Sequence, residues 1–393
     1  MKMKKVYLDY SATTPMKKEV IDEMLPYLTE HFGNPSSIHS FGRESRKAVD
    51  NARDQIAKTL GAKSDEIFFT AGGTESDNWA IKGVAYAMKG KGNHIITTKI
   101  EHHAVLHTCE ELAKEGFEIT YLNVDQYGLI NLEELKSAIK ENTILITVMF
   151  ANNEIGTIQP IKEIGQIAKE KGIIFHTDAV QAYGNVHINV DQLGLNLVSI
   201  SSHKIYGPKG IGALYIRRGT KILPFIHGGA QEKKRRAGTE NVASIVGFGK
   251  AAELAHESLD GHINRLLALR TKLMDNLLSK IPYSQVNGHP TKRLPGNVNI
   301  SFEFIEGESL LLSLDMVGIA GSSGSACTSG SLDPSHVLMA IGLSHEIAHG
   351  SLRLTIGDFT TDEEIEYVLE KLPPIVDRLR QMSPLYEKVK GGK

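Results

Sequence analysis

The sequence has only two cysteines among its 393 residues, Cys109 and Cys327, and they do not form a Cys-x-x-Cys pair. Two cysteines are too few for a disulfide framework or for a metal site of the paired-cysteine type. We therefore expect two free thiols.

Long apolar runs and an excess of charge of one sign are also absent. No stretch reaches the roughly 18 apolar residues of a membrane-spanning helix, and the formal net charge is only -2. A nearly neutral chain has no global positive field that could hold nucleic acid or an anionic membrane. We therefore expect a small-molecule ligand, with no direct nucleic-acid or membrane partner. Asp9 interrupts the start of the sequence before any apolar run of signal-peptide length, which favours a cytoplasmic location.

Short β-rich runs alternate with helical patterns over residues 66–216. Residues 66–70 precede a helical pattern at about 74–88, residues 94–97 precede one near 103–115, and residues 143–150 precede one near 161–171. Further strand-like runs follow at 172–177, 195–201 and 210–216. This alternation predicts an α/β fold with a mostly parallel sheet and helices on both faces, and ligands bind such sheets at the C-terminal strand ends.

The pattern changes beyond residue 241. Residues 241–279 predict a connecting helix, 296–302 and 351–357 predict strands, and 361–382 predict a terminal helix. We expect a large domain of residues 15–260 and a smaller α+β domain of residues 1–14 and 261–393.

A glycine pair lies between a predicted strand and a predicted helix, in Ala71-Gly-Gly-Thr-Glu-Ser-Asp-Asn-Trp79. Gly72 and Gly73 permit a tight turn, Thr74 can cap the helix, and the free N–H groups of a first helical turn bind anions. The segment therefore predicts a phosphate site. Many such turns are only turns, and the absence of a Walker A pattern disfavours a nucleotide.

Two charged residues end neighbouring predicted strands. Asp178 lies in His176-Thr-Asp-Ala-Val-Gln181, and Lys204 ends Ser201-Ser-His-Lys204. A carboxylate and a lysine at adjacent strand ends suit pyridoxal phosphate (PLP), with the lysine forming a Schiff base and the aspartate keeping the pyridinium nitrogen protonated. The alternative is an ordinary ion pair at the strand ends.

Together these segments resemble the fold-type I PLP enzymes, and further motifs narrow the resemblance to the cysteine desulfurases of the NifS/IscS kind in the class V aminotransferase family. Those motifs are Tyr7-Leu-Asp-Tyr-Ser-Ala-Thr-Thr14, Glu101-His-His-Ala-Val105, Ala151-Asn-Asn-Glu-Ile-Gly156, Arg236-Ala-Gly-Thr-Glu-Asn241 and Gly321-Ser-Ser-Gly-Ser-Ala-Cys-Thr-Ser329. The resemblance runs from residue 7 to beyond residue 357. It implies a seven-stranded, mostly parallel sheet in the large domain.

The resemblance also implies a role for each matching residue. The cofactor-binding residues it implies are Gly73, Thr74, His102, Asn153, Asp178, Gln181, Ser201, His203, Lys204 and Thr239. Gly73, Thr74, Ser201 and His203 would bind the phosphate. Lys204 would form the Schiff base, Gln181 would face the ring hydroxyl, and His102 would stack on the ring and help to move protons. Asn153 and Arg353 would hold the substrate carboxylate, and Thr239 would reach the phosphate of the neighbouring subunit in a homodimer.

Cys327 lies among glycine, serine, alanine and threonine, a composition typical of a mobile loop. The resemblance implies that Lys204, His102 and Cys327 are catalytic. Cys327 would take the sulfur of L-cysteine as a persulfide, release L-alanine and pass the sulfur to an iron-sulfur scaffold or another acceptor. Cys109 has apolar neighbours and is predicted to be structural.

Alternative functions remain open at this stage. A selenocysteine lyase or another carbon-sulfur lyase would use the same fold without needing Cys327, and a sulfur carrier or metal-binding scaffold would need no PLP. The segment His345-Glu-Ile-Ala-His349 matches a zinc-protease pattern, but Gly350 and a strand-like run follow it directly, and we expect no metal site. The basic run from Lys233 to Arg236 is predicted to be a solvated loop.

Overall fold

The structure is a computed structural model that describes residues 4–323 and 334–391. Cys327 lies outside the described residues, so the prediction that it is carried on a mobile loop stays a prediction.

The strands of the described residues fall into one large sheet and two small ones. In chain order they are β1 (Val6–Tyr7), β2 (Ile67–Thr70), β3 (His94–Thr98), β4 (Glu118–Leu122), β5 (Thr143–Thr147), β6 (Ile174–Asp178), β7 (Leu197–Ser201), β8 (Gly212–Ile216), β9 (Ser284–Val286), β10 (Asn297–Phe302), β11 (Ile319–Ala320) and β12 (Ser351–Thr355).

The large sheet has seven strands in the order β2-β8-β7-β6-β5-β3-β4. Strands β7, β6, β5, β3 and β4 are parallel to one another, while β8 is antiparallel to both of its neighbours. The predicted α/β class with a mostly parallel seven-stranded sheet is confirmed. The carboxyl ends of β5, β6 and β7 therefore meet at one edge of the sheet.

Helices cover both faces of this sheet, and further helices pack in a separate core. In chain order they are α1 (Lys18–Met24), α2 (Pro26–Thr29), α3 (Ser40–Leu60), α4 (Gly73–Met88), α5 (His103–Lys114), α6 (Leu132–Ala138), α7 (Ile161–Lys171), α8 (Gln231–Lys234), α9 (Val242–Glu257), α10 (Leu259–Lys280), α11 (Gly307–Asp315), α12 (His336–Ala340), α13 (His345–His349), α14 (Asp362–Gln381) and α15 (Pro384–Gly391). No helix among them is long and apolar enough to cross a membrane.

Adjacent residues of the large sheet supply separate cores on its two faces. Phe68 belongs to the core that includes Trp79, whereas its neighbour Phe69 belongs to the core that includes Phe175. This alternation follows from the two-residue period of a strand. Because helices cover both faces, strands such as β3 and β7 are buried along their whole length.

A separate core surrounds the antiparallel sheet β12-β10-β9. It combines β1 with α10, α11 and α14, so the beginning and the end of the chain pack together. The predicted domain limits of 15–260 for one domain and of 1–14 with 261–393 for the other stay a prediction. One small core joins Val337 and Leu338 of α12 to Ile100 and Met149 beside the large sheet.

The single connecting helix predicted for residues 241–279 is wrong. Two helices, α9 and α10, meet at Ser258, whose backbone has φ -98° and ψ 2°. The Ser258 hydroxyl donates to the backbone oxygen of Leu254 at 2.8 Å, and a serine that bonds the backbone in this way competes with helix continuation.

Candidate active site

A cavity of about 330 Å³ opens at the carboxyl ends of β5, β6 and β7. Its lining residues are Ser11, Ala12, Gly73, Thr74, Asp77, His102, Met149, Ala151, Asn153, Asp178, Val180, Gln181, Ser201, His203, Lys204 and Arg353. This set contains each site residue predicted from the sequence except Thr239 and Cys327. Thr239 is exposed and does not line the cavity, and Cys327 lies outside the described residues.

Lys204 ends a short 3-10 turn that directly follows β7. Its Nζ donates to the backbone oxygen of Ala12 at 2.8 Å and to that of Ser11. The same N-terminal segment is tied to the turn a second time, because the Thr14 hydroxyl donates to the backbone oxygen of His203 at 2.9 Å. The amine is therefore held at the cavity wall by backbone acceptors.

Asp178 is the last residue of β6, and its side chain is almost fully buried. Its Oδ1 accepts from the backbone N–H of Val180 at 2.9 Å. Burial raises the pKa of Asp178 to about 6, although the Val180 hydrogen bond and Lys204 both oppose the rise. A cationic N–H placed against this carboxylate would offset the cost of its burial.

A second buried carboxyl, Asp77, lines the cavity from the first turns of α4. No residue that the structure describes hydrogen-bonds to its Oδ1. Burial and then the proximity of Asp178 raise the Asp77 pKa well above its ordinary value. His176 Nε2 lies 3.7 Å from Oδ1, but burial lowers the His176 pKa to about 3, so this contact is not an ion pair.

His102 is the N-cap residue of α5 and lines the cavity, whereas His103 does not. The Nδ1 of His102 accepts from the backbone N–H of Ala104 at 3.1 Å. Burial lowers the His102 pKa to about 4, so the ring is neutral at pH 7 and its proton lies on Nε2. His103 instead packs its ring against those of His107 and His336.

The first turn of α4 also lines the cavity, through Gly73 and Thr74. Gly72 has φ +152°, and a Cβ at Gly73 would lie 2.7 Å from Val180 Cγ2, so glycine allows the helix to begin against the loop that follows β6. The first N–H groups of a helix have no intrahelical acceptor and attract anions. Ser201 and His203 lie beside this turn, in a second, more open cavity that also includes Gly73 and Thr74.

The prediction that Thr74 caps α4 is wrong. The helix begins at Gly73, and its N-cap residue is Gly72, which makes no side-chain cap hydrogen bond. Thr74 is therefore already inside the helix. The Glu75 carboxylate, rather than the Thr74 hydroxyl, accepts a backbone N–H near this helix start, that of Ala71 at 3.0 Å.

Arg353 reaches the cavity from β12 of the small sheet and is 3% exposed. Its Nη1 donates to the backbone oxygen of Asn153 at 3.1 Å, and its Nη2 donates to Asp9 Oδ1 at 2.9 Å. Among the described residues, the buried Nε has no hydrogen-bond partner. A guanidinium oriented in this way can accept a carboxylate from the cavity.

Sequence reasoning missed several lining residues, and the signals for them differ. Asp77 lies four residues after Gly73 and so on the same face of α4, a spacing that could have identified it. Ser11 and Ala12 act through backbone carbonyls, which the residue type does not reveal. Met149, Ala151 and Val180 carry no chemical signal in the sequence.

The described residues fit PLP on structural grounds. A helix N-terminus with Ser201 and His203 suits a phosphate, and a buried carboxylate, Asp178, suits a pyridinium nitrogen. The amine of Lys204 lines the same cavity. Among the described residues no group of three or more histidine, cysteine or acidic side chains could hold a metal ion, and His345–His349 is only the short helix α13.

The chain is similar to known proteins over nearly its whole length. The family model described as aminotransferase class-V matches residues 6–368. A cysteine desulfurase IscS from Methanosarcina thermophila is 62% identical over 385 residues, covering 98% of this chain and 95% of its own. A cysteine desulfurase IscS from Dictyoglomus turgidum (strain DSM 6724 / Z-1310) is 58% identical over 390 residues, with 99% of each covered.

The chain belongs to the aminotransferase class-V family. Two solved structures share its fold. One, described as a NifS-like protein, has a TM-score of 0.90 and 39% identity and covers 96% of this chain and 100% of its own. The other, described as SspA in complex with cysteine, has a TM-score of 0.81 and 38% identity, with 91% and 100% covered.

Membership of the class-V family settles two expectations. Enzymes of this family depend on PLP, so the expected cofactor is confirmed, together with the fold-type I architecture. The resemblance to enzymes of the NifS/IscS kind is confirmed as well.

Cys109 is buried in α5, and burial raises its pKa to about 12, in agreement with the prediction of a structural thiol.

Proposed function

We propose that this protein is a cysteine desulfurase that converts L-cysteine into L-alanine and leaves a persulfide on Cys327. The observation that carries the proposal is the placement of Lys204, Asp178 and Arg353 around one cavity of a class-V family member. The names of its relatives supply the substrate class, as does the solved SspA structure, whose description includes cysteine.

PLP, when bound, withdraws electrons from the substrate's α-carbon and so makes its α-proton acidic. Lys204 Nζ is the group that takes this proton, because it lines the cavity at the end of β7. The backbone oxygens of Ser11 and Ala12 accept hydrogen bonds from this amine and hold it at the cavity wall.

Arg353 and Asn153 hold the substrate carboxylate. The guanidinium is buried, and no described residue hydrogen-bonds to its Nε, so a bound carboxylate gains a charge-assisted hydrogen bond there. His102 is neutral, so its imidazole can stack on the PLP ring without burying a charge. Its Nε2 also carries a proton that can be transferred.

Cys327 Sγ takes the sulfur. In the balanced reaction the cysteine thiolate of the enzyme attacks the sulfur of the substrate, the carbon–sulfur bond breaks, and a proton on carbon replaces the sulfur, which gives L-alanine and an enzyme persulfide. The persulfide sulfur then passes to an acceptor protein, an iron-sulfur scaffold or another sulfur-carrying partner. We place this reaction in the cytoplasm.

The active protein is a homodimer in this proposal. Large apolar side chains between residues 25 and 41 are exposed in the single chain, namely Leu25, Leu28, Phe32, Ile38 and Phe41. Exposed apolar patches of this kind mark interaction surfaces. Thr239 is exposed and does not line its own chain's cavity, which suits a residue that reaches the phosphate of the neighbouring subunit.

Alanine release from L-cysteine, measured beside the visible spectrum, tests the proposal. Cys327→Ala should keep the Schiff-base absorbance and lose alanine formation. Cys109→Ala is the matched control, because it removes the other thiol of the chain, and it should retain both. Undiminished turnover in Cys327→Ala would point to a selenocysteine lyase or another carbon-sulfur lyase. A wild-type protein that stays colourless after PLP addition would contradict the proposal.

A further inference from the structure

A small cavity of about 50 Å³ adjoins the larger one at Lys204. Gln181 and Lys204 line both this cavity and the larger one, so they form the wall between the two. Asn185, His262 and Asp358 also line the small cavity. None of these three was singled out by the sequence.

A chain of hydrogen bonds follows the wall of the small cavity. Gln181 Nε2 donates to the backbone oxygen of Ser11 at 2.9 Å, the same oxygen that accepts from Lys204 Nζ. Asn185 Nδ2 donates to the backbone oxygen of Gln181 at 3.1 Å. His262, at the start of α10, has its Nε2 3.1 Å from Asn185 Oδ1 and its Nδ1 2.6 Å from Asp358 Oδ1.

Both partners of the His262 ring present oxygen acceptors. A carboxylate oxygen can only accept, and Asn185 presents its amide oxygen because its Nδ2 is committed to Gln181. Turning the Asn185 amide over would set two oxygens against each other at Gln181. A histidine between two acceptors can hydrogen-bond to both only by donating from both ring nitrogens.

Asp358 is the carboxylate that faces the His262 ring. Asp358 follows β12, and its Oδ2 also pairs with Lys17 Nζ at 2.6 Å. Burial raises the Asp358 pKa, but the hydrogen bonds from His262 and Lys17 outweigh this and lower the pKa to about 2. Arg265 of α10 donates to the backbone oxygen of Asp358 at 2.7 Å. The Tyr206 hydroxyl accepts the Asp358 backbone N–H at 2.6 Å.

The remaining ionisable groups at the small cavity are the Tyr10 hydroxyl and the Lys204 amine. Tyr10 packs its ring near that of Tyr206, with 6.2 Å between the ring centroids. The anion that hydrogen-bonds to His262 is therefore the Asp358 carboxylate. The nearby cations are Lys17 and Arg265, which contact Asp358, and Lys204, which lines the small cavity.

We propose that protonated His262 is a positioning residue that links Asp358, after β12, to Asn185 and thereby fixes Gln181 and Ser11 against Lys204. The link joins the segment that follows Arg353 to the PLP side of the site. It rests on the proposed roles of Gln181 and Lys204 but not on the desulfurase reaction itself.

The pH titration of the Schiff-base absorbance in the full-length, PLP-loaded enzyme tests the link. His262→Gln removes the positive charge and one of the two donors, so the apparent pKa of the Schiff base should rise by about 0.3 to 1 unit. His262→Lys keeps a positive charge and several donors, and the small cavity leaves room for it, so its titration should stay near that of the wild type. The matched control is His187→Gln, because the exposed His187 has its Nε2 2.8 Å from Asp260 Oδ1.

Two results would overturn the proposal. One is a His262→Gln titration that superimposes on the wild-type curve. The other is a His262→Lys shift as large as that of His262→Gln, because a purely structural role would make every substitution equivalent. The absorbance titration gives these results whether or not alanine is formed. Failure of the His262 proposal can therefore be distinguished from failure of the desulfurase proposal.

A direct measurement keeps the proposal testable if one variant does not fold. ¹⁵N-histidine spectra of the purified full-length protein at pH 7 should show both ring nitrogens of His262 protonated, with the resonance assigned by its loss in whichever His262 variant folds. A neutral His262 ring at pH 7 would overturn the proposal.

Discussion

Arg353 Nη2 donates to Asp9 Oδ1 at 2.9 Å, which ties β12 to the segment that follows β1. Nη1 of the same guanidinium donates to the backbone oxygen of Asn153, so two fixed acceptors orient the group, while no residue in the described part of the chain bonds to Nε. A planar group held at two corners can bind a carboxylate without first losing rotamer freedom, and such preorganisation favours affinity.

Arg353→Lys should raise the KM for L-cysteine about 10- to 100-fold, because an ammonium cannot reproduce the planar fork that meets Asp9, Asn153 and a carboxylate together. Initial rates against L-cysteine concentration give the value. Asp9→Asn keeps a neutral acceptor for Nη2 and should cause a smaller rise. Equal KM values for Arg353→Lys and the wild type would exclude Arg353 as the carboxylate site.

Lys204→Ala should abolish the Schiff-base absorbance and alanine release, since no other amine among the residues lining the cavity could replace Lys204. Lys221→Ala is the control, because Lys221 is exposed and lines neither cavity of the site. Absorbance after PLP addition and gel filtration measures the effect. A persistent band in Lys204→Ala, with the wild-type spectrum, would place the Schiff base on a different lysine.

The sequence predicted the parts of the site that depend on residue type at a strand end. Asp178 and Lys204 were identifiable because each directly follows an apolar β-rich run, and neighbouring parallel strands end at one edge of a sheet. The Gly72–Gly73 turn was identifiable for a similar reason, since glycine reports backbone geometry.

Other features depend on tertiary contacts that no local pattern encodes. Ser11 and Ala12 hold Lys204 through carbonyl oxygens, which every residue possesses. The role proposed for His262 depends on its contacts with Asn185 and Asp358, which are distant from it in sequence. The helices α1–α3 were not predicted, although α3 has one buried face that includes Val49, Ile56 and Leu60.

Arg53→Met should destabilise the fold by about 3–5 kcal/mol, because Arg53 and Glu232 form a buried bidentate pair whose loss leaves an unpaired buried carboxylate. Adding Glu232→Gln should recover much of the loss. Urea unfolding measures both. The matched exposed pair is Arg218 with Asp65, and Arg218→Met should change stability far less. A similar loss in Arg53→Met and Arg218→Met would contradict the argument from burial.

Glu154 is buried in the Asn-Asn-Glu segment, and its Oε2 accepts the Ser335 hydroxyl at the start of α12. Burial raises the Glu154 pKa to about 7, although Ser335 and Arg353 oppose the rise. Between the ordinary pKa of 4.5 and about 7 the folded protein therefore holds a proton that the unfolded chain has released. By linkage, this contribution to stability is full below pH 4.5 and is lost as the pH rises through about 7.

Glu154→Gln removes the ionisation while keeping an oxygen that can accept from Ser335. The variant should therefore gain stability relative to the wild type as the pH rises from 5 to 8, by on the order of 1–3 kcal/mol. Urea unfolding at several pH values measures the difference, and Glu163→Gln, on the exposed side of α7, serves as the control. Glu154→Gln and wild-type stability curves that run parallel across this range would mean that the folded protein does not retain the Glu154 proton.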